Sequence, residues 1–378
     1  MTTLTQQLRH GLAHARSHAA RWHDRVTATT ARHTNRPLLD DATWRDARII
    51  ATTVIRGAPD ADITGYLLEL NSVTGRVKRQ IAIPVGSTHA LWNARGGNRG
   101  ARGVCAYRNR LYVATATSIL VYDTRLKPID RLDHPHLAGL HEIAVSDAGI
   151  WITSTVHDLL VLLDFNGRAV HEWWGSESQT LQASLGFESR RLNLELDFAR
   201  DGFAEGYDAY CKQERLHANS VCEHAGHVYT LLCRRRALVR FFPGPDQVVI
   251  HDPMLSAPHN CVFTNDGRVV INDTMNQAVR IYDLATGARL KTIRTEIDQA
   301  GRSEQFARSG WQRGLAHVRD SVFLVGTSPA SVFELDIDSA RIGRVLRIDD
   351  DVRHCIHGLT VEHNFGRVAP QVRPKVAA

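Results

Sequence analysis

The chain has 378 residues, 43% hydrophobic and 23% charged, with a formal net charge of +6. Such a composition folds, and no apolar run reaches the roughly 18 residues that cross a membrane. Lysine and arginine together number 46, of which lysine supplies only five; apart from Arg234-Arg235-Arg236 the arginines are dispersed, which argues against a nucleic-acid partner and leaves a small anionic substrate open.

The N-terminus lacks the apolar stretch of a secretory signal. The cysteines, Cys105, Cys211, Cys222, Cys233, Cys261 and Cys355, form no CxxC pair. Both features predict a cytoplasmic protein with free thiols and no membrane association.

Residues 1–46 differ from the rest. Leu4, Leu8, Leu12, Ala15, Ala19, Trp22 and Val26 recur at spacings of three and four, one face of an amphipathic helix. The stripe is thin for a membrane surface, so this helical extension is expected to cap the following domain or to form a homodimer contact.

From residue 48 the texture changes to short strands separated by Asn-Gly, Asp-Gly and Thr-Gly turns. One unit recurs, clearest at 258–294, with further copies from Ala101, Gly139, Arg215 and Gln312. Residues 48–84 read as a copy lacking its first strand, and CIHGLTVEHN from Cys355 supplies a strand of that kind. The expected fold is all-β: a six-bladed β-propeller over 47–365, closed by its C-terminal strand, which removes exposed sheet edges. Residues 366–378 are expected to be a disordered tail.

Aligning the first strands brings Arg102, His141, His217, His259, Arg313 and His357 into one register. Successive separations are 39, 76, 42, 54 and 44 residues, a repeat of about 40 with insertions near 174–214 and 295–311. First strands of a propeller run beside its axis, so equivalent positions point at one volume. Histidine makes up 20 of 378 residues, and four at six equivalent positions is not a chance arrangement. Crowded imidazoles repel on protonation, which a divalent transition ion such as Zn, Fe, Mn or Cu relieves. His141, His217, His259 and His357 are therefore candidate metal ligands.

Arg102 and Arg313 are candidates to hold an anion; the bland reading of each is an ion pair, with Asp273 a candidate partner. Each precedes a glycine, Gly103 or Gly314, that allows backbone or ligand to approach closely. The 174–214 insertion reads as a lid that would bring Tyr207, Asp208, Tyr210 or Glu205 to the channel as acid–base groups. Trp92 and the segment Arg95–Arg99 are expected to reach the same mouth.

The text DGRVVINDTMNQAVRIYDLATG resembles NHL-type propellers, over most of residues 48–363. GLHEIAV, RLHANSV, APHNCVF and QRGLAHV are similar to the corresponding phrases of an uncharacterised family of bacterial propellers. The site is similar in architecture to that of peptidyl-hydroxyglycine amidating lyases, six-bladed propellers whose channel zinc is held by three histidines. That resemblance implies zinc roles among His141, His217, His259 and His357, an arginine role for Arg102 or Arg313, and a tyrosine role for Tyr207 or Tyr210. No local motif of that family matches strictly, and this chain has a fourth histidine. Carotenoid-cleaving propellers with four-histidine iron are a more remote analogy, having seven blades. The expectation is a metal-dependent lyase, hydrolase or oxygenase acting on a small anion. The alternative is a non-catalytic propeller that binds a protein or ligand.

Overall fold

The computed structural model describes residues 24, 27–45, 47–58, 63–83, 100–190, 195, 210, 212–297 and 307–362. Two short strands come first, β1 (Thr29–Thr30) and β2 (Arg32–His33). Blade one follows with β3 (Arg48–Ile55), β4 (Tyr66–Asn71) and β5 (Val77–Ala82), and blade two with β6 (Val104–Tyr107), β7 (Arg110–Ala114), β8 (Ser118–Tyr122) and β9 (Pro128–Asp133). Blade three has β10 (Leu140–Ser146), β11 (Gly149–Ser154), β12 (Leu159–Leu163) and β13 (Ala169–Trp174). Blade four has β14 (Ala218–His224), β15 (His227–Leu232), β16 (Ala237–Phe242) and β17 (Gln247–His251). Blade five has β18 (Pro258–Phe263), β19 (Arg268–Asp273), β20 (Ala278–Asp283) and β21 (Arg289–Arg294); blade six has β22 (Leu315–Arg319), β23 (Val322–Thr327), β24 (Ser331–Asp336) and β25 (Arg341–Arg347). The final strand, β26 (His354–Glu362), pairs antiparallel with β3, from His354 opposite Ile55 to Glu362 opposite Arg48. Among the described residues this makes six sheets in a propeller arrangement.

Burial follows strand order within a blade. The second and third strands are covered on both faces, so they read as continuous apolar runs: GIWITS of β11 and LLVLL of β12 are wholly buried. The outermost strands β5 and β9 are largely exposed and carry charge. The core lies between blades: Tyr112 and Ile119 of blade two pack with Ile143, Ile152 and Val161 of blade three. Leu39 and Trp44, before blade one, dock among Ala51, Leu324 and Leu359 of blades one and six.

The described part of the N-terminal extension adds two short strands to the blades. β1 adds as a parallel fifth strand to β21, and β2 does the same to β25. Asp24 and Thr27 are helical, with Ala28 N–H donating to Asp24 O at 3.1 Å, and a single helical turn follows at Ala42–Arg45. Of the helix expected over Leu4–Val26, all but Asp24 lies outside the described residues, as does the tail 366–378. No helix among the described residues is long and apolar enough to cross a membrane.

Candidate functional site

Four of the first strands share one irregularity. Register shifts fall between Leu140 and Ile143, Ala218 and Ser220, His259 and Cys261, and Ile356 and Gly358. Each is a β-bulge, which re-aims the side chain it contains. Backbone bonds just upstream fix which residues are equivalent: Val156 N–H to Ala138 O, Arg234 N–H to Leu216 O and Met275 N–H to Ser256 O. Counting on from these, His141, Asn219 and His259 occupy the same place in blades three, four and five. His217 is equivalent to Gly139 and Ala257, and all three have positive φ, at 54°, 63° and 47°. The sequence register is therefore two residues out in blade four, where the site position belongs to Asn219. Arg102, Arg313 and His357 hold the places expected of them in blades two, six and one, as the pairing of their strands fixes.

The fold brings together His141, His259 and His357, and one ring nitrogen of each lies within 4.8 Å of the others. The ring centroids of His141 stand 6.1 Å from His259 and 5.5 Å from His357. The hydrogen bonds around two of the rings settle their tautomers. Thr155 gives its single hydroxyl proton to Ala218 O at 2.7 Å, and Thr274 gives its own to Gln312 O at 2.8 Å. Each hydroxyl must then accept from the ring beside it: His141 Nδ1–H donates to Thr155 Oγ1 at 3.0 Å and to Gly139 O at 2.9 Å. His259 Nδ1–H donates likewise to Thr274 Oγ1 at 3.0 Å and Ala257 O at 2.8 Å. Protonated Nδ1 leaves the lone pair on Nε2 in both. His357 is 4% exposed, and its Nδ1 is buried with no hydrogen-bond partner.

All three rings are held neutral. Burial lowers His141 well below the ordinary histidine range, helped by Arg102, His217 and His259. Burial does the same to His357, reinforced by His141 and Arg102. His259 is lowered to about 3 by burial, against the raising effect of its bond to Ala257.

His217 stands beside the three without belonging to their cluster. Its ring lies edge-on to His141 at 5.1 Å, and its Nδ1 faces Glu214 Oε2 at 2.6 Å. Burial works to raise Glu214, but His217 and Arg234 outweigh it and hold the carboxyl below its usual range. The strained backbone of His217 is pinned by Asp158, whose carboxylate accepts the N–H groups of Arg215, Leu216 and His217 at 2.7, 3.0 and 3.1 Å.

Arg313 is 9% exposed, and its Nε and Nη1 have no hydrogen-bond partner. Trp311 packs against two guanidinium groups, with Arg313 5.4 Å and Arg56 4.9 Å from its ring centroid. Arg102 donates from Nη1 to Leu140 O. Asp273 is not the partner of either candidate arginine: it accepts Arg280 Nε at 2.5 Å and Ser256 N–H at 2.7 Å. Gly103 admits backbone and not a ligand, since a Cβ there would stand 2.7 Å from Glu142 Cα of the next blade.

In the 174–214 insertion Tyr210 reaches His157, its hydroxyl 2.8 Å from Nδ1, with Arg190 4.6 Å above its ring. Tyr207, Asp208 and Glu205 lie outside the described residues, as do Trp92 and Arg95–Arg99. Sequence reasoning missed Asn219, Glu214, Trp311, Arg56 and the two threonines. The threonines alone left a signal, following their histidines by 14 and 15 residues. It missed Glu142 as well, which accepts from Asn260 Nδ2 at 2.7 Å and which burial raises well above its usual range. Among the described residues the five cysteines are free thiols.

The propeller is similar to that in a nidogen/laminin complex, with a TM-score of 0.52 and 11% identity over 83% of this chain and 98% of that one. It is equally similar to a protein of unknown function from Bacteroides caccae, with a TM-score of 0.52 and 9% identity over 82% and 98%. A lower-scoring likeness, at TM-score 0.43 and 11% identity over 66% and 70%, is to virginiamycin B lyase from Staphylococcus aureus. At these identities the likeness shows the fold alone. No family model matches the chain, and no curated protein matches it by sequence.

Proposed function

We propose that the protein is an enzyme that uses a divalent transition ion, held by His141, His259 and His357, on a small anionic substrate. The observation that carries this reading is the grouping of the rings: one nitrogen of each of the three lies within 4.8 Å of the others, and the Nε2 lone pairs of His141 and His259 are fixed by their threonine and carbonyl partners. Neutral, pre-oriented imidazoles suit zinc, iron or copper, and manganese less well. The likeness to amidating lyases, drawn from the sequence, supports a three-histidine site with arginine beside it.

Such an ion acts as a Lewis acid that polarises a carbonyl or hydroxyl oxygen, or lowers the pKa of water. Arg313 holds the anion, because a buried guanidinium with unpartnered nitrogens is costly until a negative group reaches it. Arg102, one blade from His141, assists. His217, oriented by Glu214, moves a proton at its free nitrogen, as a histidine backed by a carboxylate does. Asn219 offers the amide that stands at the fourth blade's site position. Tyr210 and Tyr207 belong to the lid in this reading, and the ring is taken as closed by β26 on β3.

The test is elemental analysis of untagged protein purified without added metal, then after reconstitution. The expected result is that His259→Ala lowers the transition-metal content by one equivalent and His217→Ala leaves it unchanged. No bound metal after reconstitution would instead favour a non-catalytic propeller that binds a partner at its faces.

A further inference from the structure

We infer that His134, His136 and Glu172 form a second cation site, on the rim of blade three, for a borderline divalent ion such as Zn(II). His134 and His136 lie in the connection between β9 and β10, and Glu172 lies on β13, the outermost strand of blade three. Folding across 36 residues brings one donor atom from each within 4.8 Å of the others. Two imidazoles and one carboxylate are a donor set that zinc, nickel and copper accept, with room for water at a fourth position.

The surroundings hold the donors in place. His136 O accepts Ser154 Oγ–H at 2.5 Å, and the Trp174 ring stands edge-on to His136 at 5.5 Å. His134 packs edge-on against His136 at 5.2 Å. The side chains of His136 and Glu172 are 21% and 24% exposed, sheltered yet open to an ion from solvent. Among the described residues Glu172 has no lysine or arginine within ion-pair distance; its partner is His136 Nδ1 at 2.7 Å.

The exchange is balanced. Without an ion, one proton sits between His136 Nδ1 and Glu172 Oε1, and His134 Nδ1 accepts the His136 backbone N–H over a long 3.2 Å. The incoming ion takes the lone pairs of the two rings and the carboxylate, the shared proton leaves to solvent, and the His136 N–H released from His134 Nδ1 turns to water. The bound ion would tie the loop that enters blade three to that blade's outer edge. This site stands apart from the channel histidines and does not rest on the reading given to them.

The experiment is calorimetric titration of Zn(II) into metal-stripped, untagged, full-length protein, repeated with Glu172→Gln, His134→Ala and His259→Ala. Two equivalents are expected in the parent protein and one in each variant, with a melting temperature raised by zinc in His259→Ala but not in the double variant with Glu172→Gln. A parent count that Glu172→Gln and His134→Ala leave unchanged overturns the rim site. A single equivalent lost with those two and kept in His259→Ala upholds it while removing the channel ion. Circular dichroism of each metal-free variant separates lost binding from lost folding.

Discussion

Arg280 Nη2 lies 2.7 Å from Asp24 Oδ2, deep in blade five, with only 1% of the arginine side chain exposed. The same guanidinium holds Asp273 through Nε at 2.5 Å, and Arg289 reaches Asp24 at 2.8 Å. The chain then continues into β1 and β2 along blades five and six. The N-terminal segment is therefore a strap across neighbouring blades, anchored by a charge that the core supplies.

Asp24→Ala should lower stability by about 1–3 kcal/mol, the loss expected when a charged hydrogen-bond partner is taken from a buried group. The loss stays below that for a fully stripped ion pair because Asp273 remains. Chemical denaturation of the two proteins measures it, and equal midpoints with equal slopes would dismiss the strap. Removal of residues 1–30, which takes Asp24 and β1, should still leave a folded propeller of lower stability.

The last strand carries a larger share. Deleting residues 355–378 removes all of β26 but His354, leaving β3 unpaired along one edge from Arg48 to Val54. Ile356 and Leu359 also leave the core that joins blades one and six. The expected product is insoluble, because a long unpaired edge associates with other chains. A soluble monomer that melts where the full chain does would mean that β26 does not close the ring.

Arg313 offers a test in the opposite direction. Its buried guanidinium has unpartnered nitrogens, so replacing it with a neutral side chain of similar length relieves a penalty of about 1–3 kcal/mol. Arg313→Met should therefore raise the melting temperature, spare any bound metal and weaken anion binding. Tryptophan fluorescence from Trp311, beside the group removed, is a direct reporter on added sulfate or acetate. A destabilised variant with unchanged anion response would assign Arg313 a structural role.

The channel histidines also set a pH dependence. The unfolded chain protonates histidine near pH 6.5, whereas folded His259 resists protonation down to about 3. Between those values the unfolded state holds more protons, so stability contributed by keeping these rings neutral is complete above about pH 6.5 and is lost as pH falls. Asp158 and Asp273, both raised by burial, act with the opposite sign. The comparison that isolates the effect is metal-free parent protein against His259→Asn at pH 7 and pH 5. The parent should lose more stability between the two; identical losses would mean that the ring is open to protons.

Much of this was legible in the sequence for a physical reason. A blade buries its middle strands on both faces, and that requirement prints apolar runs and turns at a repeat of about 40 residues, so the blade count and the candidates Arg102, His141, His259, Arg313 and His357 could be read by alignment. Blade four could not. RLHAN contains both His217 and Asn219, and an alignment of letters selects the histidine, while a bulge, which depends on backbone hydrogen bonds to the neighbouring strand, selects Asn219. The other partnerships that only the tertiary structure decided are between residues far apart in the chain: Asp24 with Arg280, 256 residues away, and His136 with Glu172, 36 away. A side chain's own identity and neighbours in sequence determine what it can bind. Which group stands opposite it is set by the docking of blades, and that docking is an outcome of the whole core.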